Sequence, residues 1–314
     1  MNNQQLISFI LPIYNEEQGI ARLWQELEDL QTKIKNYRCE FVFVNDGSKD
    51  NSLAELIKIY ENNGNVKVLN FARNFGHQIA VTAGQDLVQK SDSQAIIIMD
   101  SDLQDPPLTC LDLITKWEQG FDIVYAQRSE YKSNLLKKIP AFVFYRLLRK
   151  IASVDVPVDT GDFRLISRRV NDEMSKYTEK ARYLRGISSL IGFKQACVQF
   201  KRSERFAGKT GYTFLKSLHL AIDGITGFSI FPLQLISIVG SIVAIFGFVF
   251  GFSYIIYSTI NGHNISGWAS LMSVFIFFSG IQMLMLGIIG EYLGRIYIEA
   301  LNRPLYTVDK IWQR

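Results

Sequence analysis

The sequence predicts an α/β fold, a mostly parallel sheet covered by helices, followed by two helices that cross a membrane. Three observations carry that reading. Short β-rich runs alternate with amphipathic stretches through the first 130 residues. Acidic residues cluster at the ends of those runs, and the 67 residues between Asp223 and Glu291 contain no Asp, Glu, Lys or Arg. All 64 charges therefore fall on the other 247 residues, which are about 26% charged, ordinary for a water-soluble domain.

The β-rich runs are Leu6–Leu11, Glu40–Asn45, Val66–Phe71, Ala95–Asp100 and Phe121–Ala126. The spacers carry helical periodicity, as in Ile20, Leu23, Trp24, Leu27 and Leu30. Strands alternating with helices imply right-handed crossovers and a parallel sheet. In such sheets ligands bind beyond the carboxyl ends of the strands. Tyr14-Asn15-Glu16 follows the first run, Asp46-Gly47-Ser48 the second and Asp100-Ser101-Asp102 the fourth. Further on, Pro140 opens a helix over Ala141–Ile151 that carries Arg146, Arg149 and Lys150, and Thr213–Ile222 reads as an amphipathic helix.

Inside the uncharged gap, Phe231–Ile260 and Trp268–Gly290 are apolar runs of 30 and 23 residues. At about 1.5 Å per residue, each exceeds the roughly 30 Å of bilayer hydrocarbon. A pair of buried core helices is the alternative, which the length and pairing of the runs disfavour. Lys209, Lys216, Arg295, Arg303 and Lys310 flank the outer ends, while the link Asn261–Gly267 holds only His263. The positive-inside rule then places both termini in the cytoplasm. Gly247-xxx-Gly251 and Gly290-xxx-Gly294 suit close helix packing, and a homo-oligomer is expected. The division is a soluble domain over 1–210, a juxtamembrane segment over 211–230, two membrane helices within 231–290 and a tail over 291–314.

Composition excludes other classes. A chain 48% hydrophobic and 20% charged is not disordered, collagenous or a disulfide scaffold. The net charge of +4, with no basic tract interleaved with aromatics, argues against nucleic acid as partner. Cys39, Cys110 and Cys197 form no CxxC pair, which fits a reducing compartment and no structural zinc. The polar start Met1–Gln5 and the short apolar run after it lack the features of a signal peptide, so no export of the soluble part is expected.

Asp100-Ser101-Asp102 follows a strand that should be buried. Two carboxylates there repel one another unless a cation or solvent relieves them. Mg²⁺ or Mn²⁺ suits the position, because such ions combine one or two carboxylates with substrate phosphates. Gln104 and Asp105, followed by Pro106-Pro107, add a neutral ligand and a rigid exit. For Asn45-Asp46-Gly47-Ser48 the plain reading is a turn with a helix cap at Ser48 or Asp50. The alternative is a ligand contact at Asp46, with Gly47 turning the backbone tightly against that ligand.

Taken together, Leu11-Pro-Ile-Tyr-Asn-Glu-Glu17, Val44-Asn-Asp-Gly-Ser48, Arg73-Asn-Phe-Gly76, Met99-Asp-Ser-Asp-Leu-Gln-Asp-Pro-Pro107 and Thr160-Gly-Asp-Phe-Arg-Leu165 occur in that order. The chain resembles the GT-A glycosyltransferases of family 2, and within them the polyprenyl-phosphate glycosyltransferases. The resemblance runs through Phe228–Leu233 into the two-helix hairpin. It implies a GT-A, Rossmann-like sheet on a membrane hairpin, and transfer of a sugar from a nucleotide sugar to a polyprenyl phosphate with inversion. UDP-glucose and undecaprenyl phosphate are the expected substrates, with GDP-mannose or a UDP-aminosugar as alternative donors, at a bacterial inner membrane.

By that resemblance Pro12, Tyr14, Glu16, Val44 and Asp46 hold the nucleobase and ribose. Asp100 and Ser101 stand near the ribose and diphosphate, and Asp102 with Gln104 holds the metal. Arg128 receives the acceptor phosphate, ahead of Lys132, Lys137 and Lys138, and Arg205 closes over the diphosphate. Two departures matter. Where the family commonly has Ser-Lys-Tyr, this chain has Thr210-Gly211-Tyr212, with the lysine displaced to Lys209 as the diphosphate candidate. Leu190 stands where a Trp is usual. Asp162 is expected to orient Arg128, Arg164 or the sugar, because a phosphate monoester is largely dianionic at neutral pH and needs no base. His77 reads as a helix-start residue near the donor. A processive synthase would carry Gln-x-x-Arg-Trp and more membrane helices, and a scaffold that kept the fold is the non-enzymatic alternative.

Overall fold

The computed structural model describes residues 4–129, 160–180, 182–201, 231–261 and 267–314. They fall into two compact units, the second holding the described residues 231–261 and 267–302 and the first all the others.

The first unit is built on an eight-stranded sheet: β1 (Leu6–Ile13), β2 (Arg38–Asn45), β3 (Val66–Phe71), β4 (Ser93–Ile98), β5 (Ile123–Arg128), β6 (Thr160–Ser167), β7 (Gln195–Phe200) and β8 (Val308–Trp312). Its order is β7-β5-β6-β4-β1-β2-β3-β8. Strands β1, β2, β3 and β4 run parallel, as does the β5–β7 pair. Helices α1 (Glu17–Lys33), α2 (Ser52–Asn62), α3 (His77–Val88) and α4 (Thr109–Glu118) are the crossovers, and α5 (Arg168–Met174) and α6 (Leu184–Leu190) follow β6.

The strand sequences explain the layering. All eight residues of β1 are buried, as expected of a strand covered on both faces. Its side chains alternate between two cores: Phe9 and Leu11 join Phe41, Phe43, Trp24 and Leu27 on one face, and Ile10 joins Val42, Val44 and Val81 on the other. Helix α3 lies close over β1. A Cβ on Gly84 would stand 2.4 Å from the Ile10 side chain, so only glycine permits this approach without displacement.

Two strands depart from the parallel pattern. β6 inserts between β4 and β5 and is antiparallel to both, pairing Ile98 with Arg164 and Gln127 with Thr160. Its amino end therefore lies at the carboxyl ends of its neighbours. β8 comes from the stretch expected to be a tail. It adds antiparallel to β3, pairing Leu69 with Ile311 and Asn70 with Lys310. The expectation of a tail over 291–314 is thus corrected: the run Val308–Trp312 is short and largely exposed, which suits an edge strand that covers the otherwise open side of β3. Tyr306 strengthens the seam, stacking on Phe71 at 5.1 Å and donating a hydrogen bond to Asp86 at 2.8 Å.

The second unit is a pair of helices, α7 (Phe231–Asn261) and α8 (Trp268–Ala300). Both are long and apolar enough to cross a membrane, over Pro232–Ser253 and Val274–Ala300, and none of either span is buried in the protein. Phe246, Phe250, Phe275 and Phe277 all stand exposed. A helix apolar all round needs an apolar surrounding, which a bilayer supplies. α8 continues beyond the expected end at Gly290, and its first charged residues, Glu291 and Arg295, pair with one another at 3.0 Å.

Candidate active site

Three loops meet at the carboxyl ends of β1, β2 and β3. The loop after β1 and the loop after β2 are laced together. The Asn15 amide donates to Ser48 Oγ at 3.0 Å, the Lys49 amide to Asn15 Oδ1 at 2.8 Å, and the Glu16 amide to Ser52 Oγ at 2.9 Å. Asn15 adopts φ 54°, a backbone region that asparagine tolerates better than most residues. Tyr14 is left exposed at the tip, while Glu16 is half-buried. Pro12 and Val44 are paired across β1 and β2 and are buried.

Asp46 is committed to the loop after β3. Its carboxylate accepts from the amides of Phe75 at 2.7 Å and Gly76 at 2.9 Å and from the Asn74 side chain at 2.9 Å. Burial raises its pKa, partly offset by those two amides and by His77. Gly47 turns the chain against this loop. At φ 62° a Cβ there would lie 2.4 Å from the Arg73 carbonyl carbon. The tight approach expected toward a ligand is therefore made toward protein backbone.

The antiparallel insertion of β6 brings Asp162 to the ends of β4 and β5. Asp162 is 6% exposed and gathers four side chains. Arg185 donates from Nε at 2.9 Å and from Nη2 at 3.1 Å, Arg164 from Nη2 at 3.2 Å, and Gln78 at 2.9 Å, while His77 Nε2 lies 3.2 Å away. Burial alone would raise the Asp162 pKa, but the His77 hydrogen bond and the charges of Arg185 and Arg164 hold it well below the usual carboxylate range. Arg164 is fully buried, its pKa lowered by burial, and it also donates to Ser188 Oγ at 2.8 Å. Burial would lower His77, yet the Asp162 hydrogen bond and the Asp100 and Asp162 charges raise it above its ordinary value. The two signs are opposite. The Asp162 contribution to stability is present above its unfolded pKa and is lost as pH falls through the depressed value, whereas that of His77 is present below its unfolded pKa and is lost as pH rises through the elevated one.

Asp100 lies 3.6 Å from His77 Nε2. Its pKa is raised, first by burial, with His77 lowering it and Asp162 and Asp102 raising it further. Asp102 Oδ1 accepts from the Gln104 amide at 3.1 Å across Leu103, whose φ is 58°. Ser101 Oγ donates to the Pro12 carbonyl at 3.0 Å and pins this segment to β1. Asp102 adds to the charge that raises the Asp100 pKa, and Asp102 and Gln104 carry side-chain oxygens, the donor type that a hard divalent cation takes. Among the described residues no group of three or more His, Cys, Asp or Glu is placed to hold a metal ion.

Arg128, read from sequence as lying just past the fifth β-rich run, is instead the last residue of β5. Its Nη2 lies 3.4 Å from where a Cβ on Gly161 would stand, beside Asp162. Its Nε is buried without a hydrogen-bond acceptor among the described residues. Arg205 and Lys209 lie outside the described residues, as do Lys132, Lys137, Lys138 and the segments 141–151 and 213–222. The structure thus assembles Tyr14, Glu16, Asp46, Asp100, Ser101, Asp102, Gln104, Arg128 and Asp162 at one end of the sheet. Sequence reasoning missed Arg185 and Gln78 as partners of Asp162. It placed His77 at a helix start, which is correct, but did not pair it with Asp162.

Comparison with known proteins agrees with this architecture. Residues 8–175 match Glycosyl transferase family 2, and residues 231–296 match the GtrB C-terminal hairpin. The Bacillus subtilis (strain 168) glycosyltransferase YkcC is 47% identical, over 96% of this chain and 93% of that one. The bactoprenol glucosyl transferase of Shigella phage SfII is 38% identical over 97% of both chains. Among solved structures, the glucosyl-3-phosphoglycerate synthase of Mycobacterium tuberculosis, in complex with Mn²⁺, UDP and glucosyl-3-phosphoglycerate, superposes with a TM-score of 0.46 at 16% identity, covering 71% of this chain and 78% of that one. The family 2 match spans more than half of the chain, relatives 47% and 38% identical align over nearly all of it, and the chain belongs to glycosyl transferase family 2.

Proposed function

We propose that the protein transfers glucose from UDP-glucose to undecaprenyl phosphate, giving a β-linked lipid phosphosugar and UDP. The observation that carries this reading is the pairing of an acidic nucleotide-sugar-type site with two membrane-length helices in one chain. Relatives named bactoprenol glucosyl transferases, 38% identical over nearly the whole length, support the acceptor and the sugar. An isoprenoid phosphate stays in the bilayer, so an enzyme that uses it with a water-soluble donor must be held at the surface. In this reading the first unit and both termini lie in the cytoplasm of a bacterial cell, at the inner membrane.

The loops around Tyr14, Glu16 and Asp46 hold the nucleoside, Pro12 and Val44 through backbone groups. Asp100 and Ser101 shape the wall beside the ribose and diphosphate. Asp102 and Gln104 would hold Mg²⁺ or Mn²⁺, which supplies positive charge to the departing diphosphate. Arg128, with its unsatisfied Nε, positions the acceptor phosphate for attack on the anomeric carbon from the face opposite the diphosphate, which inverts the centre. Arg205 and Lys209 are the cations proposed for the diphosphate. Asp162 keeps Arg185, Arg164 and His77 in place and takes no proton from the acceptor. A homo-oligomer is part of the proposal.

Asp102→Asn tests the metal assignment. It is expected to lower UDP release at fixed Mg²⁺ by about 100-fold and to raise the Mg²⁺ needed for half-maximal rate. An unchanged Mg²⁺ dependence would move the metal elsewhere.

A further inference from the structure

The edge strand β8 does more than cover β3. A chain of side-chain hydrogen bonds starts on it and ends at the loop that bears Tyr14. Asn70 Nδ2 donates to Asp309 Oδ2 at 2.9 Å, and Asn45 Nδ2 donates to Asn70 Oδ1 at 2.6 Å. Ser48 Oγ donates to Asn45 Oδ1 at 2.6 Å and accepts from the Asn15 amide at 3.0 Å. Asn45 and Asn70 are 1% and 8% exposed, so neither side chain has water as a ready substitute partner.

The direction of the chain is set at one end. A carboxylate only accepts, so Asp309 requires the Asn70 amide group to present its NH₂. The Asn70 oxygen then faces Asn45, whose own NH₂ must turn toward it. The Asn45 oxygen consequently faces Ser48, which must donate to it and offer its lone pair to Asn15. Asn70, Asn45 and Ser48 each use a donor and an acceptor, and reversing one amide would set donor against donor along the line. The backbone adds a second observation. The register of β8 on β3 slips between Asn70 and Phe71, pairing Asn70 with Lys310 and Phe71 with Val308, which leaves Asp309 as the extra residue of a bulge. Bulges re-aim a side chain, and this one is aimed at Asn70.

We infer that Asp309 is a positioning residue for the nucleotide site: through Asn70, Asn45 and Ser48 it orients the Asn15 amide and so holds the Tyr14–Glu16 loop in its nucleotide-binding shape. This rests on the reading of that loop as part of the donor site. The strand that follows the hairpin in sequence thereby becomes a component of donor recognition and not only an edge cover.

Binding of UDP with Mg²⁺ to the full chain in detergent, measured by titration calorimetry, tests it. Asp309→Asn keeps the size of an exposed side chain but no longer dictates the amide orientation, and is expected to weaken UDP about 3- to 10-fold. Ser48→Ala, which breaks the same chain at its other end, should weaken UDP at least as much. Because both act through one line of bonds, the double variant should bind no worse than Ser48→Ala alone, whereas independent loosening of the fold would multiply the two factors. Thermal midpoints of all three variants separate lost stability from lost positioning. UDP affinity unchanged in Asp309→Asn, or multiplying factors, would overturn the inference. Tyr14→Ala tests the underlying reading: unchanged affinity there overturns the donor-loop assignment and the inference with it, while weakened affinity there beside normal Asp309→Asn overturns the inference alone.

Discussion

Asp162→Asn is expected to reduce the rate about 100-fold at every pH between 6 and 9 and to destabilise the first unit by about 3–5 kcal/mol. Both effects follow from what the carboxylate holds. Arg164 is fully buried and Arg185 is bidentate on Asp162, so an amide in its place leaves guanidinium charge without its counter-ion and turns NH₂ toward donors. The alternative role, a base that deprotonates the acceptor, makes a different prediction. A base would give the wild type a limb near neutrality that the variant loses. Asp162 is held well below the usual carboxylate range, by the His77 hydrogen bond and then by Arg185, so it stays ionised throughout that span and contributes no limb. A phosphate monoester, with a second pKa of about 6, is largely dianionic at neutral pH, and any limb from its own titration near pH 6 is shared by the wild type and the variant. The same substitution should lower the His77 pKa, because Asp162 supplies the hydrogen bond that raises it. Imidazole proton NMR against pH reads that shift. A His77 pKa that does not move would contradict the assigned geometry.

Gly47→Ala is expected to cost about 3 kcal/mol or more, a fall in thermal midpoint of roughly 6–12 °C. Two costs coincide there. The residue sits at φ 62°, and the added Cβ would stand 2.4 Å from the Arg73 carbonyl carbon and 2.6 Å from the Asn74 nitrogen, atoms of a backbone that cannot swing aside. Gly76→Ala separates the costs. Its φ is 98° but a Cβ there meets nothing within 4 Å, so only the backbone strain remains. Thermal unfolding should rank Gly47→Ala below Gly76→Ala. The reverse order would mean that the loop after β3 is not packed on Gly47.

Much of this site was legible because the chemistry of a parallel sheet is local. Each β-rich run is followed at once by its acidic or glycine-containing loop, so Tyr14, Asp46, Asp100 and Asp102 were placed at one edge without knowledge of the pairing. What depends on distant pairing was not legible. Asp162 reaches Asp100 only because β6 runs antiparallel between β4 and β5, a choice made by contacts across a long stretch of chain. The role of Arg185 depends on that choice too, since nothing in Leu184-Arg185-Gly186 marks one arginine as bidentate on a carboxylate. His77 showed its helix start through Gly76, but its partners come from β6 and the loop after β4. Gly47 was legible as a glycine that the turn requires, though not that its neighbour is backbone and not ligand. The strand Val308–Trp312 was missed for a thermodynamic reason: an edge strand with three exposed residues of five carries little apolar alternation.

The central claim is that one chain joins a water-soluble sugar donor to a membrane-held phosphate. Its most direct test uses the full protein in undecaprenyl-phosphate proteoliposomes with Mg²⁺ and UDP-glucose labelled in the sugar, beside GDP-mannose and a UDP-aminosugar labelled likewise. Label from UDP-glucose should pass into the organic phase only when the lipid phosphate is present, with UDP released in equal amount. Organic-phase label from a different donor would contradict the glucose assignment, and no label from any donor, with UDP still bound, would contradict the transferase itself.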